Sequence, residues 1–277
     1  QLTKLILDSN NVDLVAINDL SDSKTSTHLF KYDTSYGLFN GEVLSNENQI
    51  IIEGKVINKL SERDPSKINW SDYDVDIVIE STGIFTNKSD AEKHLQGSVK
   101  KVIISAPATD EDLTIVLGVN DDAYDTKKHN IISNASCTTN CVAPMIKVIN
   151  DKFGIKNALM STIHSFTNDQ SVLDQPHSDL RRARTASENI IPTTTGAAKA
   201  VVNVIPEMKG KIDGMAYRVP TASVSVTDLS LSLEKDIDVE ELNNSLKTAS
   251  ETYLKNIMQY CMDPLVSQDF KGNSHSV

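Results

Sequence analysis

Residues 133–144 read SNASCTTNCVAP and hold two of the chain's three cysteines, Cys137 and Cys141, four positions apart. On a helix that spacing stacks both thiols on one face. Two thiols with no Cys or His close by in sequence cannot complete a tetrahedral zinc set, and the dithiol redox signature is C-x-x-C, not C-x-x-x-C. A cysteine taken alone is most often a small packing residue. Cys137 differs by position, because the pattern starts a helix there. Unpaired N–H groups and the positive end of the helix dipole favour a thiolate in a first turn, lowering a pKa that is about 8.5 in a free thiol. Cys141 lies one turn deeper and reads as packing. Cys137 is therefore the candidate nucleophile.

The elements that would carry such a thiol follow from hydrophobic period. HNIISNAS is a buried-strand pattern, residues 138–152 continue as a helix, and Gly154 supplies the stop. Upstream, Leu2, Leu5 and Ile6 fall at helical spacing and DSNN ends that segment. VDLVAIND, DVDIVIESTG and KKVIISAP are apolar runs closing in small polar residues, as buried parallel strands do. The helical SDAEKHLQ, with Ser89 as N-cap, separates the last two. Strand, loop, helix and strand in that order predict a Rossmann-type doubly wound parallel sheet. GEVLSNENQIIIEGKVINKL reads as short antiparallel strands inserted into this pattern, turning at Asn46 to Asn48. The second half turns strand-rich through ALMSTIHSF, GMAYRVP and SVSVTDLSLSLEK, and the period-two alternation of the last predicts a mainly antiparallel sheet with one uncovered or partner-covered face. The expected fold class is α/β and α+β, with a nucleotide-binding domain over residues 1–136 and a catalytic domain over residues 137–277.

Length and composition agree with two domains, since 277 residues at 39% hydrophobic content can fill two cores. A net charge of −11 works against binding nucleic acid or an anionic membrane surface, so a small anionic ligand would need a local cationic site. No apolar run reaches the length of a membrane span, and QLTKLILDSN has neither a basic n-region nor a cleavage pattern. Three cysteines do not make a secreted disulfide framework.

SNASCTTNCVAP resembles, nearly residue for residue, the active-site signature of phosphorylating glyceraldehyde-3-phosphate dehydrogenases. The likeness runs in family order through INDL, KYDTSYG, ERDPSKI, ESTGIF, VIISAPA, GVN, RRAR, NIIPTTTGAAKAV, GMAYRVPT and VSQDF. It implies a cytoplasmic, glycolytic oxidoreductase that uses NAD, D-glyceraldehyde 3-phosphate and inorganic phosphate, binds no metal, and assembles as a homotetramer. Carried over residue by residue, Cys137 matches the nucleophile and His164 its base. Ser136, Thr138, Thr167, Arg182, Thr195, Gly196 and Arg218 match positions that bind two phosphate groups, and hydroxyls, backbone N–H groups and guanidiniums suit an anion. Asp19 matches the adenosine-ribose carboxylate, while Arg63, Ser105 and Asn168 match positions along the cofactor path. A carboxylate at Asp19 would repel a 2′-phosphate, by about 4 kcal/mol for unit charges 4 Å apart at an effective dielectric of 20. Leu20, Ser21 and Pro176 also resemble the NAD-using members. Gln175, the TAS of residues 221–223 after Arg218, and Cys261-Met262 depart from the family's usual residues.

Two rival readings stay in play: an erythrose-4-phosphate dehydrogenase, whose acyl-enzyme is hydrolysed by water, and a catalytically silent binding protein on the same fold. In dinucleotide-binding units the glycine fingerprint lies about 20 residues before the acidic residue that closes the second strand. Counting back from Asp19 passes Gln1. The expectation is a partial chain, lacking that fingerprint, its strand and the family's C-terminal part, and inactive as it stands.

Overall fold

The computed structural model describes residues 1–277. The chain runs through α1 (Leu2–Leu7), β1 (Ala16–Asn18), α2 (Ser23–Lys31), β2 (Tyr32–Asp33), β3 (Gly37–Leu38), β4 (Val43–Asn46), β5 (Gln49–Ile52), β6 (Lys55–Leu60), β7 (Ile77–Glu80), α3 (Lys88–Ala91), β8 (Lys101–Ile104), β9 (Leu113–Thr114) and β10 (Ile131–Ser133). It continues through α4 (Cys137–Phe153), β11 (Ile155–Ser165), β12 (Ile191–Thr194), α5 (Ala197–Val204), β13 (Ile212–Val219), β14 (Val226–Leu233) and α6 (Val239–Glu251). Two compact units result. Gln1–Ile104, Thr109–Asp112 and Lys127–Ile132 form the first, and Ser105–Ala108, Leu113–Thr126 and Ser133–Val277 form the second.

In the first unit β1 pairs in parallel with β6, and β5 and β4 follow as an antiparallel meander, so the inserted strands extend the β1 sheet in the order β1-β6-β5-β4. Val43, Ile50, Ile52 and Ile57 form the core beneath that sheet. A second parallel pair joins β7 to β8, with β10 next to β8. The helix between β7 and β8 is shorter than its sequence suggests, and its cap is Asn87, not Ser89. Asn87 Oδ1 accepts from the Asp90 N–H at 3.0 Å, and Ser89, already inside the helix, donates its hydroxyl to the same oxygen at 2.6 Å. Asn87 wins because an amide side chain in extended backbone reaches the third N–H of the helix.

The second unit is built on α4 and a sheet of order β12-β13-β11-β14. Ser136 caps α4, accepting from the Thr139 N–H at 3.0 Å. Val142, Ile146, Ile149 and Phe153, at helical spacing, are all buried. Each is worth about 1.5–3 kcal/mol of transfer free energy. Gly154 ends the helix at φ +69°, where a Cβ would come 2.7 Å from the Glu234 carboxylate. β11 pairs antiparallel with β14, and β12 with β13, but β11 and β13 run parallel. The sheet is therefore mixed. Its inner face packs Ile155, Ala158 and Met160 against α4 and α5 in one core with Val201 and Val204. Its outer face leaves Leu159, Ile163, Met215 and Val226 exposed.

Candidate active site

Cys137 is the first residue of α4 and is exposed. The turn before it is held by side chains. Ser133 Oγ donates to the Ala106 carbonyl at 2.8 Å and accepts from the Ala135 N–H at 3.0 Å. Asn140 Nδ2 donates to the carbonyls of Asn134 and Ser136, at 2.8 and 3.0 Å. Ala135 is buried at φ +55°, a left-handed conformation that an L-residue keeps only under constraint. Pro144, inside the helix, has no N–H for the Asn140 carbonyl, and the Ser276 hydroxyl donates to that oxygen at 3.4 Å.

His164 lies near the end of β11, its Nε2 3.4 Å from Cys137 Sγ. Its Nδ1 is 2.6 Å from the Ser165 carbonyl. A carbonyl only accepts, so Nδ1 carries a proton and Nε2 of the neutral ring is free to take the thiol proton. The hydrogen bond with His164 pulls the Cys137 thiol below its ordinary pKa, outweighing burial that pushes it up, and Thr138 adds to the same effect. For Cys141, burial is the largest cause and pushes the thiol up, against a weaker hydrogen bond to Thr227. One turn of helix separates an ionisable thiol from an inert one.

Parallel register sets His164 beside Arg218 of β13. Arg218 Nη1 donates to the Ser165 carbonyl at 3.1 Å and to Thr167 Oγ1 at 2.8 Å, and lies 3.2 Å from His164 Nδ1. Arg218 Nε is buried and has no hydrogen-bond partner. Thr167 in turn donates to Asp169. Arg182 Nη1 donates to Asp169 Oδ2 at 2.8 Å, its Nε to Thr193 Oγ1 at 3.0 Å and its Nη2 to the Thr194 carbonyl at 3.2 Å. Thr193 donates onward to Asp179 Oδ2 at 2.6 Å. Burial alone would raise Asp169, but Thr167, Arg218 and Arg182 hold it below the usual carboxylate range.

The structure thus joins Cys137, His164, Arg218, Thr167 and Arg182 through one continuous chain of contacts in the second unit. Ser136 and Thr138 flank the thiol, and Thr195 and Gly196 follow β12 and open α5, with Thr195 Oγ1 accepting from the Ala197 N–H at 3.2 Å. Ser105 and Asn168 are exposed in the same unit. Asp19 and Arg63 belong to the first unit, both exposed, Asp19 just past the carboxyl end of β1. Sequence reasoning passed over Asp169, Asp179 and Thr193. Asp169 stands two residues after Thr167, and a carboxylate that close to a candidate anion ligand was the available signal.

A family model described as the C-terminal domain of glyceraldehyde 3-phosphate dehydrogenase matches residues 136–277, and one described as the NAD binding domain of the same enzyme matches residues 1–88. Glyceraldehyde-3-phosphate dehydrogenase 1 of Bacillus cereus is 61% identical over 96% of this chain and 80% of its own length. Glyceraldehyde-3-phosphate dehydrogenase of Geobacillus stearothermophilus is 56% identical over 98% and 81%. Glyceraldehyde-3-phosphate dehydrogenase 2 of Streptomyces avermitilis is 56% identical over 96% and 79%.

Proposed function

From the premise that this chain belongs to the glyceraldehyde 3-phosphate dehydrogenase family, we propose that the protein oxidises D-glyceraldehyde 3-phosphate to 1,3-bisphosphoglycerate through a thioester on Cys137. The observation that carries this reading is the 3.4 Å contact between Cys137 Sγ and His164 Nε2 at a capped helix start. His164 Nε2 takes the thiol proton, and the thiolate attacks the aldehyde carbon to give a thiohemiacetal. His164 returns that proton to the new oxyanion, completing the hydroxyl of the adduct, and takes it back as the carbon is oxidised to a thioester. Phosphate attacks the thioester carbonyl, and the Cys137 thiolate leaves as the acyl phosphate forms.

Arg218 and Arg182, with Thr167, Thr195, Ser136, Thr138 and the Gly196 turn, hold the two phosphate groups. The unpartnered Arg218 Nε suits an anion, because a buried guanidinium N–H without an acceptor costs free energy that a phosphate oxygen removes. NAD, when bound, supplies the oxidant by accepting a hydride. Asp19 fits its adenosine ribose: Ser21 donates to the carboxylate through both its N–H and its hydroxyl, fixing one acceptor group at the end of β1. A ribose diol supplies two donors to such a group, and a 2′-phosphate supplies none when ionised. Arg63 joins Asp19 on the adenosine side, and Ser105 and Asn168 serve the nicotinamide side.

The exposed Leu159, Ile163, Met215 and Val226 on one sheet face are read as covered by other copies of the chain in a homotetramer, to be checked by light scattering. No helix is long and apolar enough to cross a membrane, and we place the protein in the cytoplasm. The decisive assay follows NADH formed by the full-length protein from glyceraldehyde 3-phosphate with and without phosphate. Steady turnover that needs phosphate supports the reading, and turnover indifferent to phosphate replaces it with a hydrolytic dehydrogenase.

A further inference from the structure

Lys59 is the penultimate residue of β6, opposite Ile17 of β1, and is only 7% exposed. Its Nζ donates to the carbonyls of Asp19 at 2.5 Å, Ser21 at 2.8 Å and Leu60 at 2.9 Å. An ammonium has three protons, and all three are spent on backbone. Two of these carbonyls belong to the turn between β1 and α2, so one buried cation grips the turn at both ends. That turn carries Asp19. Its carboxylate accepts from the Ser21 N–H at 2.7 Å and from the Ser21 hydroxyl, which lies 2.7 Å from Ser26 Oγ on α2. Asp22 next caps α2, accepting from the Thr25 N–H at 2.7 Å. Local contacts orient the carboxylate within the turn. The turn itself is fastened to the sheet by Lys59 and by the Asp19 N–H donating to the Leu60 carbonyl at 3.1 Å.

A buried lysine is costly unless its charge is matched. Here the match is made by peptide dipoles, with the charges of Asp19 and Asp22 acting through space. Packing alone would be served as well by an apolar side chain, as at Ile57 on the same face of the strand. The geometry points to Lys59 as a positioning residue for cofactor specificity: it holds the 19–21 turn so that the Asp19 carboxylate stands where the adenosine ribose distinguishes NAD from NADP. This rests on the reading of Asp19 as the ribose carboxylate.

The test is calorimetric titration of the full-length protein with NAD and with NADP, for the parent, Asp19→Asn, Lys59→Met and the double variant. Lys59→Met is expected to lower the NAD:NADP affinity ratio about tenfold, the lower end of what a hydrogen bond to a charged group is worth. Asp19→Asn lowers it in the same direction, and the double variant falls no further than Asp19→Asn alone, because both changes remove one interaction. Lys59→Gln, which keeps two donors, falls between parent and Lys59→Met and remains informative if Met does not fold. Equal loss of both nucleotides in the lysine variants, or additive loss in the double variant, overturns the role given to Lys59 while Asp19 keeps its own. A ratio unmoved by Asp19→Asn overturns the ribose reading itself and Lys59's role with it.

Discussion

Replacing His164 by Asn tests the reactive thiol without dismantling the site. The Asn side chain retains a donor near the position of Nδ1, which serves the Ser165 carbonyl, and ends short of the Nε2 position that lies 3.4 Å from Cys137 Sγ. The largest cause lowering the thiol pKa is removed, while Thr138, the Ser136 cap and the helix start remain. The titration midpoint of Cys137 therefore moves up toward that of an ordinary thiol. An ordinary thiol with a pKa of about 8.5 is about 1% ionised at pH 6.5, so the thiolate population can fall at most about 100-fold at that pH. Intrinsic nucleophilicity moves the other way. For every tenfold loss of thiolate at low pH, the more basic sulfur that remains attacks about threefold faster. The alkylation rate with iodoacetamide should thus fall about threefold to tenfold at pH 6.5, and above both midpoints the variant should react faster than the parent. Rate against pH gives two curves that cross, with Cys141→Ser and Cys261→Ser as background so that a single thiol reports. Superimposable midpoints, or curves that stay parallel throughout, would refute the pairing of Cys137 with His164.

Cys137→Ser should abolish NADH formation whereas Cys141→Ser, which alters only a thiol that burial keeps protonated, should retain most of it; equal losses argue against the helix-start assignment. Arg218→Lys keeps the charge but loses the forked guanidinium, so the KM for phosphate should rise about tenfold with a smaller change in kcat. Glu80 accepts from Thr82 N at 2.7 Å and Thr82 Oγ1 at 2.5 Å, and lies 3.3 Å from His94 Nε2. Burial raises its pKa, but those donors outweigh it and leave the carboxyl below its ordinary value. A depressed carboxyl stabilises fully above its unfolded pKa of about 4.3 and loses that contribution as pH falls through the folded value. Glu80→Gln should cost about 1.5–3 kcal/mol from pH 7 to 5, with the gap in Tm closing below pH 4. A gap that widens on acidification contradicts the sign.

Helix α4 was legible because its signals are local: an apolar stripe from Val142 to Phe153, a serine before the first turn and a glycine after the last. The separation of 27 in sequence between Cys137 and His164 carries no such signal, and only the family pattern joins them. Period-two alternation in Val226–Leu233 tells which face is buried, not which way the neighbour runs. The parallel β11–β13 pair depends on β12 and α5 intervening as a crossover. Lys59 was missed for a related reason. KVINKL alternates with Ile57 and Lys59 on the same buried phase, and a lysine on a strand ordinarily reads as solvated. Its partners are carbonyls about 40 residues away, which residue type does not announce. Asp169 meets Arg182 from 13 residues away along the loop between β11 and β12, whereas Asp179 meets it from three residues away.

The pairing of His164 with Arg218 also bears on how this site can change by inheritance. Eight successive residues of β11 and β13 are matched from Ala158 with Ile212 through Ser165 with Val219. Loss of a single codon anywhere from Ile212 to Tyr217 would bring Val219 opposite His164 and turn the guanidinium to the other side of the sheet. Length changes before Ile212 are harmless as long as Ile212 still meets Ala158. Substitutions along the exposed rows, at Leu159 or Met215, leave the frame intact. Point mutation can therefore vary single side chains without moving the frame of the site, while insertion and deletion inside these two strands erase it in one step.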